Sequence, residues 1–232
     1  MRHNETVLGY SKYEKTLIVL IPMILGGLIG WFIPVIAGWL LNLPIVPMEQ
    51  LIEFIASSDN LWITVIAAII GVVAGILLAF IILEENLEVR ISDNSLQLKL
   101  DNKMETIDKK DISAIYMEKK QFIILGPNNQ ELYRGVLETK KDTVREALNY
   151  YRYPWHDEDP FKNQYQRWVL GHPDFPEKIN ALLYAREHAL KEDKKKDAKY
   201  LREDLAKLGA VIRDEKNAQY VRLAEGAISK RK

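Results

Sequence analysis

The chain has 232 residues, with 32 Lys+Arg against 32 Asp+Glu and no cysteine. The lack of cysteine excludes disulfides, thiolate catalysis and Cys-ligated zinc. The even charge balance hides a gradient, because residues 84–150 hold 11 basic and 13 acidic side chains while residues 177–232 hold 15 and 10.

Residues 16–48 and 60–83 contain no Asp, Glu, Lys, Arg or His. Each run exceeds the roughly 20 apolar residues that cross a bilayer. A single charge at mid-span costs at least about 2.5–3.5 kcal/mol, so two such runs predict a two-span transmembrane hairpin over 16–83. Arg2, Lys12 and Lys15 precede it, whereas the loop 44–59 carries Glu49, Glu53 and Asp59 but no Lys or Arg. The positive-inside rule then puts residues 1–15 and the C-terminal domains in the cytoplasm and the loop outside a cell membrane. The first run is too long for the apolar stretch of a cleaved signal peptide and reads as an uncleaved anchor.

Gly26 and Gly30, and again Gly71 and Gly75, lie four apart and so share a helix face. Such faces let backbones approach closely in lipid. Two uses are open: packing the two spans of one chain, or joining two copies as a homo-oligomer. Pro34 predicts a kink in the first span. Trp39 and Trp62 read as interface anchors, and apolar residues at helical spacing over 48–55 predict a short helix on the outer membrane surface. The spans supply almost no ionisable group to line a pore, which favours an anchor over a transporter.

From residue 87 the hydrophobic period becomes two. Strands are predicted at 87–91, 96–100, 112–117, 122–125 and 131–137. Asp93-Asn94, Asp101-Asn102 and Gly126-Pro127-Asn128-Asn129 supply turns. A helix over 140–151, with Val144, Ala147, Leu148 and Tyr151 on one face, closes a small α+β domain spanning 84–151. Lys109-Lys110-Asp111-Ile112-Ser113-Ala114-Ile115 turns into a strand, and a polar hairpin precedes Glu131-Leu132-Tyr133-Arg134. This order resembles bacterial pleckstrin-homology-like (PH-like) domains. The resemblance implies a protein-binding or assembly module.

Residues 152–176 form an aromatic connector. Asp159-Pro160 as cap and first helical residue, with Gly171 as the stop, predicts a short helix. Its face of Phe161, Tyr165, Trp168 and Val169 is expected to bury against a neighbouring domain. His156 beside Asp157 and Asp159, and His172 beside Asp174, lack the fixed spacing of a metal site. No Gly-rich phosphate loop or Ser-His-Asp order is present either. The expectation is no metal, no cofactor, no catalytic residue and no enzyme activity.

The last domain, 177–225, reads as two helices, 176–192 and 197–208, followed by strands at 210–213 and 219–223 and a basic tail over 226–232. Ile179, Leu182, Leu183, Arg186 and Leu190 share one face of the first helix, and Gly209 stops the second. The run Leu182-Leu183-Tyr184-Ala185-Arg186, then Asp197-Ala198-Lys199-Tyr200-Leu201-Arg202 through Leu205, Gly209 and Asp214, is similar to the C-terminal domain of cysteinyl-tRNA synthetases. It departs at Lys199, usually Asp in that family, and at 215–219, where the family's turn ahead of its tRNA-associated residues is missing. The synthetase body is absent, which excludes aminoacylation. The resemblance implies structured RNA, tRNA or ribosomal, as a partner. The candidate phosphate contacts are Lys194, Lys195, Lys196, Lys199, Arg202 and Arg222, together with Lys230, Arg231 and Lys232 in the tail. The alternative for these residues is a solvated turn and tail, because Asp193 and Asp197 flank the lysines.

The complete order, with Gly30-Trp31-Phe32-Ile33-Pro34-Val35-Ile36-Ala37 in the first span, resembles the YqeB-like family of bacterial membrane proteins. That resemblance implies an architecture and no activity. The leading expectation is a non-enzymatic, membrane-anchored cytoplasmic module that binds the bilayer and a protein partner. The alternative is a membrane-tethered factor that recruits RNA.

Overall fold

The structure, a computed structural model, describes residues 5–42, 50, 52–53, 61–84, 86–100, 103–216 and 218–227. It comprises two units, one formed by residues 9–86 with 100–103 and the other by the rest of the chain. The predicted surface helix over 48–55 lies outside the described residues except at 50, 52 and 53, as do the Asp101-Asn102 turn and positions 228–232 of the basic tail.

The first unit is a pair of apolar helices, α1 (Lys12–Leu40) and α2 (Leu61–Glu84). Ser11 starts α1 with a capping box. Its hydroxyl accepts from the Glu14 N–H at 3.2 Å, and the Glu14 carboxylate accepts from the Ser11 N–H at 2.7 Å. Both helices are long and apolar enough to cross a membrane, the most apolar 18-residue stretch of each having a mean hydropathy of 2.3 and 3.1 respectively. Ile24, Leu28, Phe32, Ile70, Leu77 and Phe80 are each more than half exposed. Trp39 and Trp62 are exposed as well.

The second unit begins with a four-stranded sheet in the order β1 (Thr6–Leu8), β2 (Glu88–Ile91), β3 (Ser95–Leu100) and β4 (Lys103–Asp108). Strands β1 and β2 pair antiparallel, with Thr6 opposite Ile91 and Leu8 opposite Val89. Leu8, Val89, Ile91, Leu96 and Leu98 are all buried, as alternation requires. This corrects the boundaries read from the sequence. The sheet domain does not open after the second apolar run, because Thr6–Leu8, read as part of the N-terminal segment 1–15, already belong to its sheet. The first strand precedes the hairpin, so the hairpin is inserted between two adjacent strands of one sheet. Three residues hold too little alternation to betray a strand.

A second sheet has the order β7 (Glu131–Val136), β6 (Gln121–Leu125), β5 (Ala114–Glu118) and β8 (Trp155–His156), with β8 parallel to β5. Helix α3 (Lys141–Tyr150) closes the domain by burying Val144 and Leu148. Two small sheets and a closing helix give the PH-like architecture that the residue pattern resembled.

The C-terminal part comprises α4 (Glu177–Lys191), α5 (Lys195–Lys207) and a sheet in the order β10 (Ala210–Glu215), β11 (Ala218–Leu223) and β9 (Gln166–Arg167). Gly209, at φ +79, ends α5 in the left-handed conformation that glycine adopts freely. The connector contains no helix, contrary to expectation. Residues 160–164 form turns, and β9 joins the C-terminal sheet with Arg167 opposite Tyr220. The predicted cap is real, since the Asp159 carboxylate accepts from the Phe161 N–H at 2.8 Å. It also accepts from the Tyr116 and Tyr165 hydroxyls at 3.1 and 2.9 Å. These tertiary bonds fold the segment back before a helical turn can propagate, which is costly to nucleate in any short segment. The aromatic stripe consequently divides between two cores. Phe161 packs on Ala114, Tyr116, Ile123 and Leu125, whereas Trp168 joins Phe175, Ile179, Leu183 and Leu205.

Candidate functional site: a glycine interface and a basic helical domain

The four glycines singled out in the sequence lie where α1 meets α2. An ideal Cβ on Gly26 falls 2.1 Å from the Gly71 carbonyl oxygen, and one on Gly71 falls 2.0 Å from that of Gly26. On Gly30 it falls 2.3 Å from the Ala67 oxygen, and on Gly75 it falls 2.2 Å from the Pro22 oxygen. Real side chains do not come so near, so only hydrogen fits at these positions. Both stripes are spent between helices of one chain, where close contact supplies the dispersion energy that lipid does not.

The six basic candidates in the C-terminal domain separate into two sets. Lys194, Lys195, Lys196 and Lys199 are exposed around the start of α5. Lys194 pairs with Glu192 at 2.7 Å and Lys195 with Asp193 at 3.3 Å. The hydrogen bond from Lys194 holds the Glu192 carboxyl below its ordinary range and raises Lys194 in return. Arg202 and Arg222 are withdrawn from the surface. Arg202 bonds the Asp214 carboxylate with its side chain only 17 % exposed. Arg222 is 3 % exposed, donates to the Asn129 carbonyl at 2.8 Å, and lies 4.6 Å from the Phe161 ring centroid. The four lysines are thus accessible from solvent and Arg222 is not.

The structure adds a residue whose role was not read from the sequence. Arg186 is 3 % exposed and grips Asp214 bidentately at 2.8 and 2.7 Å. It also donates to Gln219 Oε1 at 2.7 Å, and Gln219 in turn donates to the Leu183 carbonyl at 3.0 Å. Burial alone would raise the Asp214 carboxyl, but the Arg186 hydrogen bond and the charges of Arg202, Arg186 and Arg134 hold it below its usual range. Arg202 is pushed down to about 10, first by burial and then by Arg134 and Arg186 beside it. The clue was present in α4, because Arg186 sits on the apolar face and an arginine there requires a buried acceptor. Among the described residues no group of three or more His, Asp or Glu side chains is placed to hold a metal ion.

Residues 6–156 match the YqeB-like bacterial PH domain, and residues 172–222 match the cysteinyl-tRNA ligase anticodon binding domain. The chain is 36 % identical over 223 residues to the protein YqeB of Bacillus subtilis (strain 168), covering 96 % of this chain and 93 % of that one. No solved structure matches. The first match starts at the first residue of β1 and runs across the hairpin to the last residue of β8, the same extent over which the two sheets of the PH-like domain are built. With the strand ahead of the hairpin counted inside it, the chain belongs to the family of the YqeB-like bacterial PH domain.

Proposed function

We propose that the chain is a non-catalytic binding module anchored in a membrane by α1 and α2, with both flanks of the hairpin on the cytoplasmic side. The pairing of β1 with β2 carries this reading. Two strands that share a ladder lie on one side of any bilayer that their connecting hairpin enters, so two spans return the chain to the face it left. The bareness of the helices supports the anchor. Only 6 % and 11 % of their most apolar windows are buried, whereas a core helix of a soluble protein is mostly covered. Exposed apolar area costs about 25 cal/mol per Å² in water and nothing comparable in lipid. Lys12 and Lys15, next to β1, favour the cytoplasmic side. The non-catalytic reading is supported by how these carboxylates are used, since Asp159 and Asp214 each accept from several donors that tie neighbouring segments together.

The cysteine-free chain makes the topology directly measurable. In intact cells a membrane-impermeant maleimide is expected to label Asp59→Cys, in the segment between the helices. It should leave Val7→Cys and Tyr184→Cys unlabelled until the membrane is permeabilised. Labelling of Val7→Cys and Tyr184→Cys from opposite sides would defeat the reading.

RNA recruitment is the second reading, favoured by the match over 172–222 and by the four exposed lysines. The protein-binding reading is preferred because Arg202 and Arg222 are taken up internally and two of the lysines already face acids. Full-length protein in detergent is therefore expected to retain RNA no better than a variant with Lys194, Lys195, Lys196 and Lys199 changed to Gln. Retention that falls steeply with salt and drops in that variant would transfer the proposal to RNA.

A further inference from the structure

The PH-like and C-terminal domains each have their own core, and a set of polar contacts joins them. Arg213 of β10 places Nε 3.0 Å from the Glu118 carboxylate at the end of β5 and 3.1 Å from that of Glu215. Arg222 of β11 donates to the Asn129 carbonyl in the β6–β7 turn. Just beyond β11, the Glu225 N–H donates to the Asn128 carbonyl at 2.9 Å, and the Glu225 carboxylate accepts from the Asn129 side-chain amide at 2.8 Å. Asn129 has φ 60, a left-handed conformation that asparagine tolerates better than most residues. Phe161, packed on the PH-like core, lies under the Arg222 guanidinium as a cation–π partner. Arg134 of β7 is paired with Glu131 at 2.7 Å, both nearly buried. Arg213 has two carboxylates at hand, and Arg222 has a carbonyl and an aromatic face, although Arg222 Nε and Nη2 are buried without a hydrogen-bond partner.

We infer that the β10–β11 hairpin is an intramolecular docking face for the second sheet of the PH-like domain, which makes the two domains one body and closes Arg222 to outside partners. A partner of the C-terminal domain is then left its helical side, where Tyr184, Lys195, Lys196 and Lys199 are exposed. This inference is independent of the membrane reading.

The test is amide hydrogen exchange on the full-length protein in detergent. Arg213→Glu, which sets three carboxylates together, is expected to speed exchange in residues 126–130 and 210–223 about tenfold. Adding Glu118→Arg restores an opposite pair and is expected to bring exchange back toward the parent. Glu225→Ala, which touches neither core, is expected to speed exchange in 126–130 and so gives an answer even where Arg213→Glu does not fold. Unchanged exchange at 126–130 in Glu225→Ala would overturn the inference. So would a double variant that exchanges as fast as Arg213→Glu alone.

Discussion

Gly71→Leu is expected to open the α1–α2 hairpin, costing about 3 kcal/mol or more, above the usual ~1–3 kcal/mol of overpacking. The argument is geometric. The first carbon of the new side chain would lie 2.0 Å from the backbone oxygen of Gly26. A carbon and a carbonyl oxygen come no nearer than about 3.3 Å, and a backbone atom in a regular helix has no rotamer by which to yield. The helices must therefore separate, and contacts made along the whole stripe by Gly26, Gly30 and Gly75 are lost together. Gly38→Leu is the matching control, because a Cβ at Gly38 meets nothing within 4 Å. Thermal unfolding in detergent is expected to show a clear loss for Gly71→Leu and almost none for Gly38→Leu. Equal effects in the two variants would show that helix propensity, and not close packing, accounts for the glycines.

The elements legible in the sequence were those long enough to show a period. The apolar helices, α3, α4, α5 and the β10–β11 hairpin follow from their runs and their stops. The missed strands share a physical cause. β1 has three residues, and β8 and β9 have two each, too few for alternation to register. β4 has six, but only Ile107 is buried, so its sequence carries no period at all. The site divides the same way. That Lys194, Lys195, Lys196 and Lys199 are exposed follows from local charge density. The fate of Arg222 is set by Asn129, 93 residues away, and by Phe161, which no local pattern connects to it. The false helix after Asp159 is instructive for the same reason, since the capping signal was correct and Tyr116, from another strand, decided what followed it.

Arg186→Ala is expected to cost about 2–4 kcal/mol, short of the ~3–5 kcal/mol seen when one partner of a fully buried pair is removed. The discount has a specific source. The Asp214 side chain is 38 % exposed and keeps Arg202, so water and one cation still reach it after the truncation. What is left without a partner is Gln219 Oε1, whose residue is 5 % exposed and whose amide is already committed to Leu183. The pH dependence separates this mechanism from simple loss of packing. Asp214 has a depressed carboxyl pKa in the folded protein. Its contribution is complete above the unfolded carboxylate value of ~3.9 and is lost as pH falls through the lower folded value. Without Arg186 less of that depression remains, so protonating Asp214 becomes easier and costs the variant less than the parent. The stability gap between the two is therefore expected to narrow as the pH is lowered toward and below about 4. A gap that stays constant from neutral to acid pH would mean that Arg186 acts through its packed stem alone. The bidentate contact would then carry no stability of its own.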